Sequence, residues 1–413
     1  MKKQPEELYA EREKRFKDTI ELKETDRIVV APLFQFFPVF HAGYTVKDVM
    51  YDFSKAYKAT KEAILEFDPD LCISPLAYPG RAFELLKYKL MKWPGHGVKD
   101  DKSYQFVEDE YMRSDDYDHF LDDPSDFMFR KYLPRICGAL EPLSMTASAH
   151  DATWLGLFSY VAMFGQPEVI NALEALTKAG QEFLAWFGDT AKFNMEMKEL
   201  GYPNMVGGFA FAPFDVIGDT MRGTTGIMLD MYRQPEKLLK AIEKVTPWTI
   251  ESAINSAKAA GNPVVMFALH KGADGFMSPE QYETFYWPSL KKVMLALIDE
   301  GLVPFIYTEG EYTSRLECLA DVPKGKVVYH FERVDIYKAK EILGGIACLT
   351  GNVPNNLLYT GTPEDVKDYC RELIDVWGKG GGFILDAAAV IDEAKPENIK
   401  AMIDFSKEYG VYK

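Results

Sequence analysis

From Asn262 onward the chain repeats one pattern, a short β-branched apolar run followed by an amphipathic helical stretch. The runs are Val264–Leu269, Val303–Tyr307, Lys326–His330, Ile346–Thr350 and Phe383–Asp386. The helical stretches are Ser278–Glu300, Thr313–Leu319, Ile336–Leu343, Pro363–Trp377 and Pro396–Tyr409. The runs are largely apolar rather than alternating, as parallel strands covered on both faces must be. Ser278-Pro279-Glu280-Gln281 and Thr362-Pro363-Glu364-Asp365 each supply a hydroxyl at the N-cap, a proline in the first turn and an acceptor at the third helical position. Gly301, Gly344 and Gly410 stand where helices should stop.

The first half carries the same signal more sparsely. Arg27–Leu33 and Leu71–Ser74 read as strands, with a helix over Thr45–Phe67 between them, and Met205–Phe211 reads as a third strand. Eight strands in all is the count that a closed (β/α)8 barrel requires. The stretch 78–201 fits no single βα unit. With helical segments at Asp115–Tyr132 and Pro167–Leu200, it reads as a helical insertion between the second and third strands, over the barrel mouth. A helix at about 6–22 precedes the first strand. No linker, low-complexity tract or repeat divides the 413 residues, so the expectation is one elaborated α/β domain, a TIM barrel over 1–413.

The formal net charge of −16 argues against nucleic acid, whose phosphates need a Lys/Arg surplus on one face, and against an anionic membrane surface. The N-terminal MKKQPEELYAEREKRF has no apolar core of a secretory signal, and no run of 18 apolar residues would span a bilayer. Five scattered cysteines without a CxxC point to free thiols in a cytoplasmic location.

In a barrel, residues just past each strand face the active site. Here they are Phe34, Gln35, Pro75, Phe214, His270, Glu309, His330, Asn352 and Asp386. His270, Glu309 and His330 come from successive strands and are suitable ligands for a divalent metal; Cys348, inside the next strand, could add a thiolate. Each also has a plainer reading: a hydrogen-bonded strand-end histidine, a solvated loop carboxylate, a buried small cysteine. The aromatic run Phe34–Phe40 could floor a ring-binding pocket or belong to the core. His96, in a Trp-Pro-Gly-His-Gly loop, could reach the mouth or simply mark a turn. The glycine run Gly378–Gly382 lacks the phosphate-loop pattern and reads as a helix stop.

Four segments carry a family resemblance: KGADGFMSPEQYETFYWPSLKK, VPFIYTEGEYTSRLE, CLTGNVPNNLLYTGTPEDVKDYCRELI and GKGGGFILDAAAVIDEAKPENIKAMIDFSKEYGVY. They resemble the uroporphyrinogen decarboxylase superfamily, strongest from His270 to the end; LMKWPGHGVKDDKSYQFVEDEYM and DTMRGTTGIMLDMYRQPEKLL fit it too. That superfamily holds decarboxylases, which grip a polycarboxylate with arginines near the N-terminus, and zinc-containing corrinoid-dependent methyltransferases. This chain has no Arg between Arg27 and Arg81, which favours the second branch. The thiol-accepting members carry His-x-Cys-Gly after a strand and a Cys after the last strand. Here the corresponding residues are Tyr307-Thr308-Glu309-Gly310 and Asp386-Ala387-Ala388-Ala389. YTEGEYTSRLE and KGKVVYHF are most similar to the methyltransferase component of anaerobic aryl methyl ether O-demethylases.

The resemblance implies a Zn2+ site on Glu309 and His330, with Cys348 as third ligand and His270 or Asp386 in reserve. It implies methyl transfer from a methoxylated aromatic to the cob(I)alamin of a separate corrinoid protein, releasing a phenol. Phe34, His96 and Tyr307 are the expected substrate-binding residues, and Glu309 and His330 the catalytic ones, both replaceable without unfolding the barrel. A homodimer is implied by resemblance alone. Alternatives are a methylamine, methylthiol or methanol donor, a decarboxylase of another acid, and a non-catalytic partner of the corrinoid protein.

Overall fold

The computed structural model describes residues 3–412. Among the described residues there are ten strands: β1 Val29–Val30, β2 Met91–Pro94, β3 Gly97–Val98, β4 Gln105–Phe106, β5 Gly208–Phe211, β6 Val264–Leu269, β7 Val303–Glu311, β8 Val328–Arg333, β9 Cys348–Val353 and β10 Phe383–Ala387. Seven form one parallel sheet in the order β1-β10-β9-β8-β7-β6-β5. The ring closes between β1 and β5 through the segment expected as the second strand. Asp70 N–H donates to Val30 O, Cys72 N–H to Pro203 O, and Met205 N–H to Cys72 O, each at 2.8–2.9 Å. This eighth stave pairs as a single bridge, Cys72 with Asn204, partly because Pro203 has no N–H to donate. β1 is likewise shorter than expected: Pro32 ends its run of donors, and Leu33 N–H turns to the Asp386 carboxylate at 2.9 Å.

The apolar residues divide as a barrel requires. Val29, Leu71, Met205, Val264, Met266, Phe305, Tyr307, Val328, Cys348 and Ile384 fill the interior. A larger cluster, including Val265, Phe267, Ile306, Tyr329 and Leu385, packs outward against the helices. The N-terminal helix, Pro5–Ile20, is anchored by charge: Arg15 and Arg27 both grip the fully buried Asp70 carboxylate, which also accepts from Val30 N–H at 2.9 Å. The two arginines hold this carboxyl below its ordinary range against the opposing effect of burial.

Three helical expectations need correction. The helix expected over Thr45–Phe67 is two, Val46–Tyr51 and Phe53–Phe67, because Asp52 leaves the helical region and caps the second through Ser54 N–H. The helix expected over Ser278–Glu300 widens into a π-turn at Tyr282–Tyr286, just before Pro288, whose ring and missing N–H disrupt regular bonding. The insertion is mainly helical, ending in the 33-residue helix Pro167–Glu199, but also holds the small sheet β3-β2-β4. Among the described residues no helix is long and apolar enough to cross a membrane.

Candidate functional site

The strands run further than the apolar runs suggest, and this changes the depth of every candidate residue. β7 continues to Glu311, β8 to Arg333 and β9 to Val353. His330 therefore lies inside β8, in register with Tyr307 on β7 and Thr350 on β9. Cys348 is the first residue of β9, paired with Val328. It sits two residues below His330's row, about 6.6 Å along the strand, at the floor of the interior. Glu309 stands above that row, in a bulge where the β7–β8 register shifts and Gly310 takes a φ of +88°.

The expected ligand triad is therefore not brought together. Among the described residues no three His, Cys, Asp or Glu side chains are placed to hold one ion. Burial pushes the Cys348 thiol well up, so it remains a protonated core group. His330 is wholly buried and stacked on Tyr307, with ring centroids 4.5 Å apart; it is part of the packing, contrary to expectation. Its Nε2 lies 3.0 Å from Ala387 O, which can only accept, so this nitrogen carries a proton. The same Nε2 is 3.2 Å from Asp386 Oδ2. His330 Nδ1, Thr350 Oγ1 and Asp386 Oδ2 have no hydrogen-bond partner.

A second cluster forms the mouth proper. His270 follows β6 directly; its Nδ1 is 2.6 Å from Asp219 Oδ2 and its Nε2 is 3.6 Å from Glu309 Oε1. Lys271, almost fully buried, lies 2.8 Å from both Asp219 and Glu108, tying the insertion to the barrel. Asp215, fully buried, accepts from Tyr286 Oη at 2.6 Å and from the His270 and Lys271 N–H groups. Glu332 accepts from Gly310 N–H at 2.6 Å.

These contacts set the protonation states. Burial alone would lower His270, but Asp219, then Glu309 and Asp215, outweigh it and raise the imidazole to about 9. It is an imidazolium at neutral pH. Burial, reinforced by Asp219, raises Asp215 to about 7. Burial also raises Glu309, partly offset by His270; its side chain is still 45% exposed, so water tempers the effect.

Aromatic walls come from β5 and not from the aromatic run after β1. Gly208 and Ala210 of β5 face the surrounding helices, so Phe209 and Phe211 point inward. They are 52% and 44% exposed, which leaves the interior open on this side. The Phe211 ring lies 6.1 Å from that of His270. Tyr307 lies inside β7, in His330's row and not at the strand end, its hydroxyl accepting from Val390 N–H at 3.1 Å.

Phe34 and His96 do not join them. Phe34 is buried against Phe37 and Phe67 in the outer core, and Phe36 packs in a separate cluster around Trp93. His96 stacks on Trp93 at 4.4 Å and pairs with Glu84 at 2.8 Å. It borders an open groove of about 450 Å³ lined by Lys47, Asp48, Tyr51 and Lys55, with no residue from the ends of the barrel strands. Asp215, Asp219, Lys271, Glu108 and Glu332 were missed by strand-end counting. The one available signal was the spacing of Asp215 and Asp219, four apart just after β5, which puts both carboxylates on one helical face.

The sequence pattern of the uroporphyrinogen decarboxylase (URO-D) family matches residues 163–409. A uroporphyrinogen decarboxylase of Chlorobaculum parvum is 26% identical over 183 residues, 43% of this chain and 51% of the relative. One from Flavobacterium johnsoniae is 27% identical over 240 residues, 56% of this chain and 66% of the relative. The match thus spans about half the length of the first of these curated relatives. A solved structure, a methyltransferase from Methanosarcina mazei, superposes with a TM-score of 0.63 at 15% identity, covering 97% of this chain and 98% of the other. With more than half of its length matched and the barrel in place, the chain belongs to the uroporphyrinogen decarboxylase (URO-D) family.

Proposed function

We propose that this chain is a methyltransferase that takes the methyl group of an aryl methyl ether and passes it to the cob(I)alamin of a partner corrinoid protein. The observation that carries the reading is the charge of the mouth. Glu108, Asp219, Glu309, Glu332 and Asp386 surround it, and its two cations, His270 and Lys271, are already paired with Asp219. A substrate bearing many carboxylates would be repelled there, which disfavours decarboxylation of a polyanion. The end-to-end likeness to a methyltransferase barrel supports the same branch.

A phenolate is a poor leaving group, so an aryl ether needs positive charge or a proton at its oxygen as the methyl departs. His270 supplies both: Asp219 holds it as an imidazolium, and its Nε2–H side faces the mouth toward Glu309. The donors expected for zinc do not converge, so no step is routed through an ion. Phe209, Phe211 and Tyr307 supply apolar walls for a ring, and the corrinoid supplies the nucleophile. A methylated ammonium donor is the second reading, favoured by the same acidic mouth and aromatic walls.

The test follows methylation of cob(I)alamin by absorbance, with aryl methyl ethers and methylammonium salts as donors. Release of the phenol, lost in His270→Gln, is the expected result. Turnover of the ammonium donors alone would favour the second reading, and carbon dioxide release from a porphyrinogen would overturn both. Zinc analysis of the purified chain and of Glu309→Ala tests the metal expectation separately.

A further inference from the structure

Gln35 stands at the barrel mouth and takes no part in the chemistry assigned above. Val29, Ala31 and Leu33 point into the barrel interior, whereas Phe34 and Phe36 pack in clusters outside it. Alternation along an extended chain therefore puts the Gln35 side chain on the inner face. Its level is fixed by β10: Phe34 bridges to Ile391, and Gln35 N–H donates to Ile391 O at 3.0 Å. β1 and β7 stand four places apart in the sheet, and with the 71–74 stave closing the ring they are opposite each other. Gln35 thus faces Glu309 across the mouth, with His270 at the end of neighbouring β6. Tyr307 spans the space beneath them, reaching Val390 N–H. The interior of an eight-stranded barrel has room for one small ligand.

The Gln35 side chain is held in place. Its Nε2–H donates to Tyr104 Oη at 3.1 Å, and Tyr104 Oη–H donates to Leu76 O at 3.5 Å. The Tyr104 ring packs against Phe36 and Tyr78, with centroids 5.7 and 5.2 Å away. Among the described residues no other side chain bonds to this amide, so Gln35 keeps one N–H and its Oε1 for a ligand, a donor beside an acceptor. That pair matches a group that both donates and accepts. It does not match a carboxylate, which only accepts. Asp392 adds repulsion: it accepts from Phe36 N–H at 3.3 Å, and the other charge acting on it is an acid, Glu393. Burial raises Asp392 only to about 6, so it is negative at pH 8. Lys102 is drawn to Glu393 at 3.2 Å.

We infer that Gln35, positioned by Tyr104, reads the ring edge farthest from the transferred methyl group, taking a neutral hydroxyl or hydroxymethyl substituent and rejecting a ring carboxylate. This rests on the methyl-transfer reading for the ring and for its orientation. The test measures binding by ligand-observed NMR at pH 8, which needs no turnover, with para-methoxybenzyl alcohol, its apolar isostere para-ethylanisole, and para-methoxybenzoate. The alcohol should bind roughly 10-fold tighter than the ethyl compound, the worth of a hydrogen bond that would otherwise be left unmade, and the benzoate should bind weakest. Gln35→Met keeps the length of the side chain and should abolish the preference for the alcohol while leaving the ethyl compound's affinity and the urea midpoint unchanged. Tyr104→Phe, which frees the amide, should reduce the preference less. In methyl transfer the same order should appear in kcat/KM. No turnover with the binding order intact would count against the methyl-transfer reading alone. Failure of all three rings to bind, equal binding, tightest binding of the benzoate, or a preference that survives Gln35→Met would overturn the inference.

Discussion

Asp219→Asn isolates the role assigned to His270. The change preserves shape but removes the charge 2.6 Å from His270 Nδ1. With Asp219 present the imidazole sits at about 9; without it, burial still works against the charged form while Glu309 and Asp215 still favour it, and where these offset each other the ring returns to its ordinary ~6.5. At pH 8 the protonated fraction then drops from about 0.9 to about 0.03, a loss of roughly 30-fold, while at pH 6 the loss is less than about 2-fold. If His270 protonates the leaving oxygen, methyl transfer by Asp219→Asn should track these fractions, its alkaline limb moving from near pH 9 to near pH 6.5. The assay is the initial rate of cob(I)alamin methylation from pH 6 to 9, with an NMR titration of the His270 ring alongside. Lys271 keeps Glu108 as a partner at 2.8 Å, so the loop should hold. A variant whose rate falls equally at every pH, or whose alkaline limb stays at the parent's position, would refute the reasoning.

Asp70→Asn should cost about 3 kcal/mol in urea unfolding, because it removes the buried carboxylate paired with Arg27 and with Arg15, although Arg15 keeps Asp26. The Asp70 carboxyl is held below its ordinary range, so its contribution is present above the unfolded value near 3.9 and is lost as pH falls through the folded one. Asp215 works in the opposite sense: raised to about 7, it lets the folded state bind the extra proton, so stability falls as pH climbs from about 4 to 7. Asp215→Asn should flatten that slope in urea midpoints. Cys348→Ala should cost about 1 kcal/mol of stability and leave methyl transfer unchanged, since the thiol lies below the site.

The barrel was legible because parallel strands covered on both faces must be apolar throughout, and the runs from Val264 to Asp386 are. The small insertion sheet was not, because its strands are two to four residues long and partly exposed, too short for a periodic signal. The aromatic run at Phe34 signalled burial correctly, but an apolar run does not say which side of the sheet it faces. Phe34 packs outward, whereas Phe209 and Phe211, ordinary strand residues in the sequence, line the interior. His96 was taken by nearer partners, Glu84 and Trp93, as a histidine on a short loop commonly is.

The metal expectation shows what strand-end reasoning leaves undetermined. It names residues of the right chemistry but not their depth, and an error of two residues moves a side chain about 6.6 Å along the barrel. Cys348 has the right chemistry one row too low. The residue in His330's own row is Thr350, buried, with a hydroxyl that, like His330 Nδ1 and Asp386 Oδ2, has no hydrogen-bond partner. Thr350→Cys should therefore create the imidazole, carboxylate and thiolate set that the native chain does not assemble. Cobalt(II) added to the purified variant should give the thiolate-to-metal absorbance of a tetrahedral site, stronger than any signal from the parent and lost again in Thr350→Cys combined with His330→Gln. If the variant gains no such absorbance, or the parent already shows it through Cys348, then row position does not govern ligation here, and the original assignment of Cys348 would have to be restored.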